Sequence, residues 1–317
     1  MAKLPQPISP TLDAIYRSYE ETADRSHRTY LGISAIGNEC ERALWYAFRW
    51  AHEPGRLDGR KLRLFETGHR EEARMLDDLE RAGATIYRVD PDTGNQWAVA
   101  ALGGHLRGHM DGQGEGFAEA PKTRHVLEFK THNEKSFKAL IKDGVRHSKP
   151  AHFAQMQLYM HYSGLTRAFY MAHNKNTDEL HVERIEYSAP DALRLVAKAE
   201  RIINSQEPPP KLHEDPAAKM AFLCNYCLAF NVCHSGKFAE RNCRTCLHST
   251  PVEGGWSCAR FHGIDDTMQK LGCSLHLFIP ALVPGEQIDA SDESNTVTYR
   301  MKDQSEWTDG GNTNDEH

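Results

Sequence analysis

In "RKLRLFETGHREEARMLDDLERAG", Leu62, Phe65, His69, Glu72, Leu76 and Leu79 recur at spacings of three and four, which places them on one face of a helix. The stripe is apolar except at its middle, where His69 and Glu72 are aimed toward the body of the protein. A carboxylate there has to be paired or bind a cation. A helix is also expected after Ser34, through "NECERALWYAFRW". The first 30 residues read as poorly tied down, with a short amphipathic stretch around Leu12, Ile15, Tyr16 and Tyr19.

After Gly83 the alternation shortens. "ATIYRV", "QWAVAAL" and "HLRGHMDG" read as strands, a Gly-rich turn follows, and "HVLEFKT" (125–131) reads as a further strand. "KPAHFAQMQLYMHYSG" predicts a helix behind Pro150, and "RAFYMAHNKNTDELHVERIEY" a strand-turn-strand unit. A helix from Pro190 to Asn204 leads into "SQEPPP", a linker by composition. This order implies an α/β domain with a central mixed sheet.

The 317 residues, 39% of them hydrophobic, suffice for one main domain with additions. No apolar run approaches eighteen residues and "MAKLPQPISP" has no secretory core, so a cytoplasmic protein with no membrane partner is expected. In that compartment eight cysteines in close pairs point to metal rather than disulfides. The formal charge of -6 is uneven: Glu286–His317 carries nine acidic residues against two basic ones, while 122–149 carries eight Lys or Arg against three Asp or Glu. Such a basic run is either a solvated face or a local surface for phosphates.

In "HVLEFKT", Leu127 and Phe129 alternate with Glu128 and Lys130. The plain reading is an edge strand with a solvated polar face. Asp111, at the end of "HLRGHMD", gives a second one: a hairpin bringing Asp111, Glu128 and Lys130 together, with His69 or Glu72 presented from the preceding helix. Hard oxygen ligands of this kind suit Mg2+ or Mn2+, an ion that can polarise a phosphodiester and activate water.

With Gln155 and Tyr159 four apart in "QMQLY", the chain resembles the PD-(D/E)XK nuclease superfamily, in its RecB-like branch with the Q-x-x-x-Y motif. The resemblance implies a restriction-endonuclease-like core, a central mixed sheet flanked by helices. It implies Asp111 and Glu128 as metal ligands, the Phe129 carbonyl as a backbone ligand, and Lys130 as catalytic lysine. Gln155 and Tyr159 would position DNA or the lysine. His69 matches the motif-one histidine and is favoured as ligand over Glu72, which matches the glutamate of lambda-exonuclease-like relatives; a core histidine bonded to Glu72 is the plain alternative.

Cys224, Cys227 and Cys233 form C-x2-C-x5-C, one thiolate short of a complete site, and Cys40 lies upstream. This split set resembles iron-sulfur nucleases of the AddB type and of CRISPR adaptation, and the resemblance implies a 4Fe-4S cluster on Cys40, Cys224, Cys227 and Cys233. Zinc at the same thiolates and a free, buried Cys40 stay open. Cys243, Cys246, Cys258 and Cys273 are spaced like a zinc ribbon, with His248 or His276 as substitutes for one cysteine. This module is scaffold, or touches DNA through Lys237, Arg241, Arg244 and Trp256. It also sets the chain apart from the shorter CRISPR nucleases.

The expected organisation is an N-terminal extension (1–30), a nuclease core with its iron-sulfur clamp (31–235), a cysteine-rich zinc module (236–284) and an acidic, largely flexible tail (285–317) with one possible strand, "NTVTYRM". The resemblance implies a metal-dependent DNA exonuclease acting at ends or single strands in phage-type recombination or repair, with DNA and a recombination or single-strand-binding protein as partners. A structure-selective endonuclease and an inactive metal-stabilised nucleic-acid-binding protein are the alternatives.

Overall fold

A computed structural model describes residues 9–311. Helix α1 (Pro10–Thr22) and the short strand β1 (Leu31–Gly32) precede helices α2 (Glu41–Phe48) and α3 (Gly59–Arg81), which lead into strands β2 (Thr85–Tyr87), β3 (Ala98–Ala101), β4 (Leu106–His109), β5 (Gly112–Glu115) and β6 (His125–His132). Then come α4 (Glu134–Ser148), α5 (Pro150–Ser163), β7 (Arg167–Asn174), β8 (Leu180–Glu186), α6 (Ala189–Asn204) and α7 (Phe230–His234). The last stretch holds β9 (Ser249–Val252), β10 (Gly255–Cys258), β11 (His262–Ile264), α8 (Asp266–Leu271), β12 (Gly285–Ser291), β13 (Thr296–Met301) and β14 (Glu306–Gly310).

The α/β expectation holds. A five-stranded mixed sheet, in the order β2-β5-β6-β7-β8, has β6 and β7 parallel and its other neighbours antiparallel. Strand β6 is therefore central, which removes the edge-strand reading of "HVLEFKT". Leu127 and Phe129 pack with Met75, Leu76 and Leu79 of α3 and with Phe169 and Met171 of β7. The opposite face meets the helices after β6, joining Val126, Tyr170 and Ala172 to Leu140, Met156 and Leu195 in the main core.

"HLRGHMDG" is not one strand. Its first half, β4, pairs with β1 and β3 in a separate sheet, whereas β5 pairs with β6. Asp111 stands at the fork. The basic run at 122–149 holds a helix, α4, that the alternation did not disclose. Asn133 caps it, accepting from Ser136 N at 2.8 Å, and Phe137, Leu140 and Val145 are buried. Lys135, Lys138, Lys142 and Arg146 face solvent, so most of this run is a solvated face.

The N-terminal extension is better tied than expected. Glu20 Oε1 accepts from Gly59 N at 2.7 Å, Tyr19 bonds Glu66 of α3, and Trp50 Nε1 donates to Arg28 O at 2.9 Å; residues 1–8 lie outside the described residues. The acidic tail is corrected more sharply. Residues 285–310 form an antiparallel sheet, β12-β13-β14, with Tyr299 fully buried. Thr and Arg alternate with Val297 and Tyr299, Glu306 and Thr308 flank Trp307, and the apolar face packs with Phe238 and Phe278, so net charge concealed a half-buried sheet. Residues 312–317 lie outside the described residues. Among those described, no helix is long and apolar enough to cross a membrane.

The cysteine-rich stretch docks on the core through buried arginines. The Arg244 guanidinium lies 3.8 Å from the Trp50 ring centroid and donates to Phe48 O, Thr29 O and Gln269 Oε1. Arg49 donates to the carbonyls of Arg244, Ser249 and Ser205. Burial pushes their pKa values down to about 9 and about 10. Arg244 and Trp256 are buried, which corrects their reading as DNA contacts: stacking and carbonyl bonds offset the cost of desolvating a guanidinium. Arg241 donates to Cys273 O and Lys237 pairs with Glu53 and Glu240.

Candidate active site

Strand β6 alternates, so Glu128, Lys130 and His132 form a row on one face. Strand β5 stops pairing at Leu127, which leaves the next stretch of β6 open on that side. There Asp111 Oδ2 accepts from Phe129 N at 2.7 Å, and the Phe129 carbonyl accepts from Lys130 Nζ at 3.0 Å. A carboxylate takes the place of a strand at the fork.

On the other side, α5 turns Gln155 and Tyr159 toward the row, as their four-residue spacing requires. Gln155 Nε2 donates to Glu128 Oε2 at 2.9 Å, and Tyr159 Oη donates to His109 O at 2.6 Å. Gly108 permits that approach. A Cβ there would stand 2.8 Å from Tyr159 Oη. The packing and the polar role of Q-x-x-x-Y thus coincide: both side chains are buried and both hold polar atoms of the site.

Glu128 is fully buried. Its Oε1 is ion-paired with the Lys130 ammonium. Burial pushes its pKa up to about 8, with Lys130 opposing and Asp111 and Glu72 reinforcing. Asp111 is also raised by burial, against the pull of Lys130. Glu72 rises to about 7 through burial and Asp111, with Lys130 opposing. For Lys130 burial works downward, but Glu128, Asp111 and Glu72 together leave it raised. Three carboxylates and one ammonium therefore share a field, with a net negative charge that has too few partners.

The helix stripe was half right. Leu76 and Leu79 are buried and Glu72 is half-buried, but Phe65 is 53% exposed and His69 faces solvent. The first half of α3 runs past the sheet and has no core to meet. His69 is neither a core histidine nor enclosed, though its charge bears on Asp111; Glu72 is the more enclosed of the two. The donor set, three carboxylates that share one ammonium, fits a hard divalent cation by its chemistry.

Each group of four cysteines lines a cavity of its own. Cys40, which caps α2, meets Cys224, Cys227 and Cys233 in one. Cys243, Cys246, Cys258 and Cys273 meet in the other, with His248 and His276. All eight are free thiols. Backbone N–H groups two residues on serve Cys227, Cys246 and Cys258: those of Ala229, His248 and Arg260, the last at 3.4 Å. Burial raises the pKa of Cys227, and that of Cys246 to about 11, and these donors only partly oppose it. His248 Nε2 meets Asn295 Oδ1 and His276 Nε2 meets Asn242 O, while His276 Nδ1 is buried without a partner, so four thiols and a histidine substitute both stay open. Among the described residues, no three His, Cys, Asp or Glu side chains are closed around an ion-sized point as they stand. Both thiol sets and the carboxylates fit metal by chemistry and proximity, and would have to draw inward to ligate it.

No family model matches the chain. No curated protein matches it either. Among solved structures, it is similar to SSO0001 at a TM-score of 0.41 and 14% identity, covering 71% of this chain and 97% of that one. It is similar to LHK-Exo in complex with dAMP at 0.41 and 13% identity, covering 60% and 89%. The alkaline exonuclease LHK-Exo from Laribacter hongkongensis follows at 0.38 and 14% identity, covering 59% and 90%. The functional reading has to come from the geometry of the site.

Proposed function

We propose that this chain is a Mg2+- or Mn2+-dependent nuclease that hydrolyses DNA phosphodiester bonds. The observation that carries the reading is the meeting of Glu72, Asp111, Glu128 and Lys130 at the fork of two sheets, where three carboxylates share one ammonium. Asp111, Glu128, the Phe129 carbonyl and Glu72 would hold the cation, with His69 at the rim. When bound, the ion supplies positive charge that polarises the phosphodiester and activates water. Lys130 supplies a fixed ammonium that neutralises charge developing on phosphate oxygens. Gln155 orients Glu128, and Tyr159 ties α5 to the backbone just before Asp111.

Within that reading we favour an exonuclease of the RecB-like branch, acting on ends or single strands in recombination or repair. A 4Fe-4S cluster on Cys40, Cys224, Cys227 and Cys233 would clamp the chain before and after the sheet, and Zn2+ on Cys243, Cys246, Cys258 and Cys273 would hold the following module. Purified protein with Mn2+ should degrade labelled linear DNA and spare closed circles. Nicked circles would instead mean an endonuclease, and binding without cleavage, unchanged by Lys130→Ala, would reject the enzyme.

A further inference from the structure

Beside the metal site lies a polar chain that the mechanism leaves unused. Lys149 Nζ donates to Ser136 Oγ at 2.8 Å, and Ser136 Oγ lies 3.0 Å from His132 Nδ1. His132 Nε2 is 2.9 Å from Tyr170 Oη, which is 2.9 Å from His152 Nδ1. One direction of the protons suits every member. An ammonium can only donate, so Ser136 Oγ accepts from Lys149 and is free to give its own proton to His132 Nδ1, its other partner among the described residues. His132 then carries its proton on Nε2 and gives it to Tyr170, whose hydroxyl proton goes to His152 Nδ1. His152 is left with its proton on Nε2, a nitrogen that has no partner among the described residues and is not sealed from solvent.

The outer end of this chain sits at the site. His132 continues the row of Glu128 and Lys130, Tyr170 is the register partner of Glu128 on β7, and His152 lies one turn before Gln155 on the same face of α5. On the side of Lys130 away from the carboxylates the neighbouring charge is positive. Lys130 and Lys149 bear on both histidines and Lys175 on His132, and burial with these ammoniums holds both rings neutral, at about 4 and about 3.

We propose that Lys149, Ser136, His132, Tyr170 and His152 form a polarised hydrogen-bond relay whose outer end, His152 Nε2–H, binds a phosphate oxygen of the DNA strand entering the metal site. The assignment rests on the nuclease reading. His152 is a substrate-binding residue, and the other four position it by fixing its tautomer.

The tautomer is read in the full-length protein labelled with 15N-histidine, with His152 identified by its loss in His152→Gln. A neutral ring protonated on Nε2 is expected, and Tyr170→Phe should let the two tautomers mix. A wild-type ring protonated on Nδ1 overturns the relay. Affinity is read by fluorescence anisotropy of a short single-stranded oligonucleotide in Ca2+. His152→Ala should weaken binding about tenfold, the loss of one hydrogen bond to a charged group. His152→Gln, whose amide nitrogen reaches a similar place, should restore most of it. In Mn2+ the same loss should appear in KM, with kcat nearly unchanged. Wild-type cleavage with an unaltered KM in His152→Ala overturns this inference alone, whereas wild-type protein that neither binds nor cuts DNA overturns the nuclease reading and the phosphate assignment with it.

Discussion

Gln155 on α5 donates from Nε2 to Oε2 of Glu128 on β6 at 2.9 Å, and so fixes which oxygen of the buried carboxylate faces Lys130 and the open fork. A partner of this kind tunes ligand geometry without touching the ion. Gln155→Ala should therefore raise the Mn2+ concentration for half-maximal cleavage roughly ten- to a hundredfold, with the rate at saturating Mn2+ much less affected. A metal titration of activity measures it; an unshifted midpoint means that Gln155 is only packing.

Asp111 is crowded by Glu72 and Glu128 but is needed to accept from Phe129 N. Asp111→Asn keeps an acceptor for that bond and removes a charge. Cleavage should fall by more than about a hundredfold, while metal-free protein melts at the same temperature or higher, because a desolvated charge is gone. Retained activity would place the metal elsewhere.

The raised pKa values set a pH signature. Glu72 and Glu128 titrate near 7 and near 8 when folded, above the ordinary carboxylate value of 4.5. Their contribution to the stability of the metal-free protein is thus complete below that value and lost as pH rises through 7 to 8. Metal must displace the same protons. Calorimetry at pH 7 in buffers of different ionisation enthalpy should show proton release on Mn2+ binding, absent at pH 9, and affinity should climb between those limits.

Arg244 couples the cysteine-rich stretch to the core through three backbone or amide acceptors and the Trp50 ring. Arg244→Ala strands those acceptors and opens a cavity, a loss of about 3 kcal/mol or more. Thermal unfolding should detect it, and a surface change such as Lys237→Ala should cost far less.

The two thiol sets should differ in metal. Protein purified without oxygen should be brown, and Cys227→Ser should remove the colour while leaving zinc bound. Cys258→Ser should lose zinc and keep the colour. Elemental analysis that finds zinc in both sets would reject the cluster. In either case a bound cluster or zinc would close a loop of more than 180 residues between Cys40 and Cys224, so its loss should lower stability.

The α/β class, the helices and strands read from Glu41 to Asn204 apart from α4 and the break in "HLRGHMDG", and the paired thiols were legible in the sequence itself, because alternation, helical spacing and short C-x-x-C loops are local properties of a chain. Glu128, Lys130, Gln155 and Tyr159 were legible for the same reason: each pair sits two or four residues apart, a distance that one strand or one helix turn converts directly into a shared face. What the tertiary structure alone decided depends on which elements become neighbours. It moved Asp111 from the end of one strand to a fork between two sheets, and exposed His69 because α3 outruns the sheet beneath it. It buried Arg244 and Trp256 against Trp50, made a half-buried sheet of an acidic tail, and joined Lys149 to His152 through residues on three other segments. A pattern along the chain records which side of an element is apolar, but not where that side ends or what comes to lie against it, and burial and charge are set there.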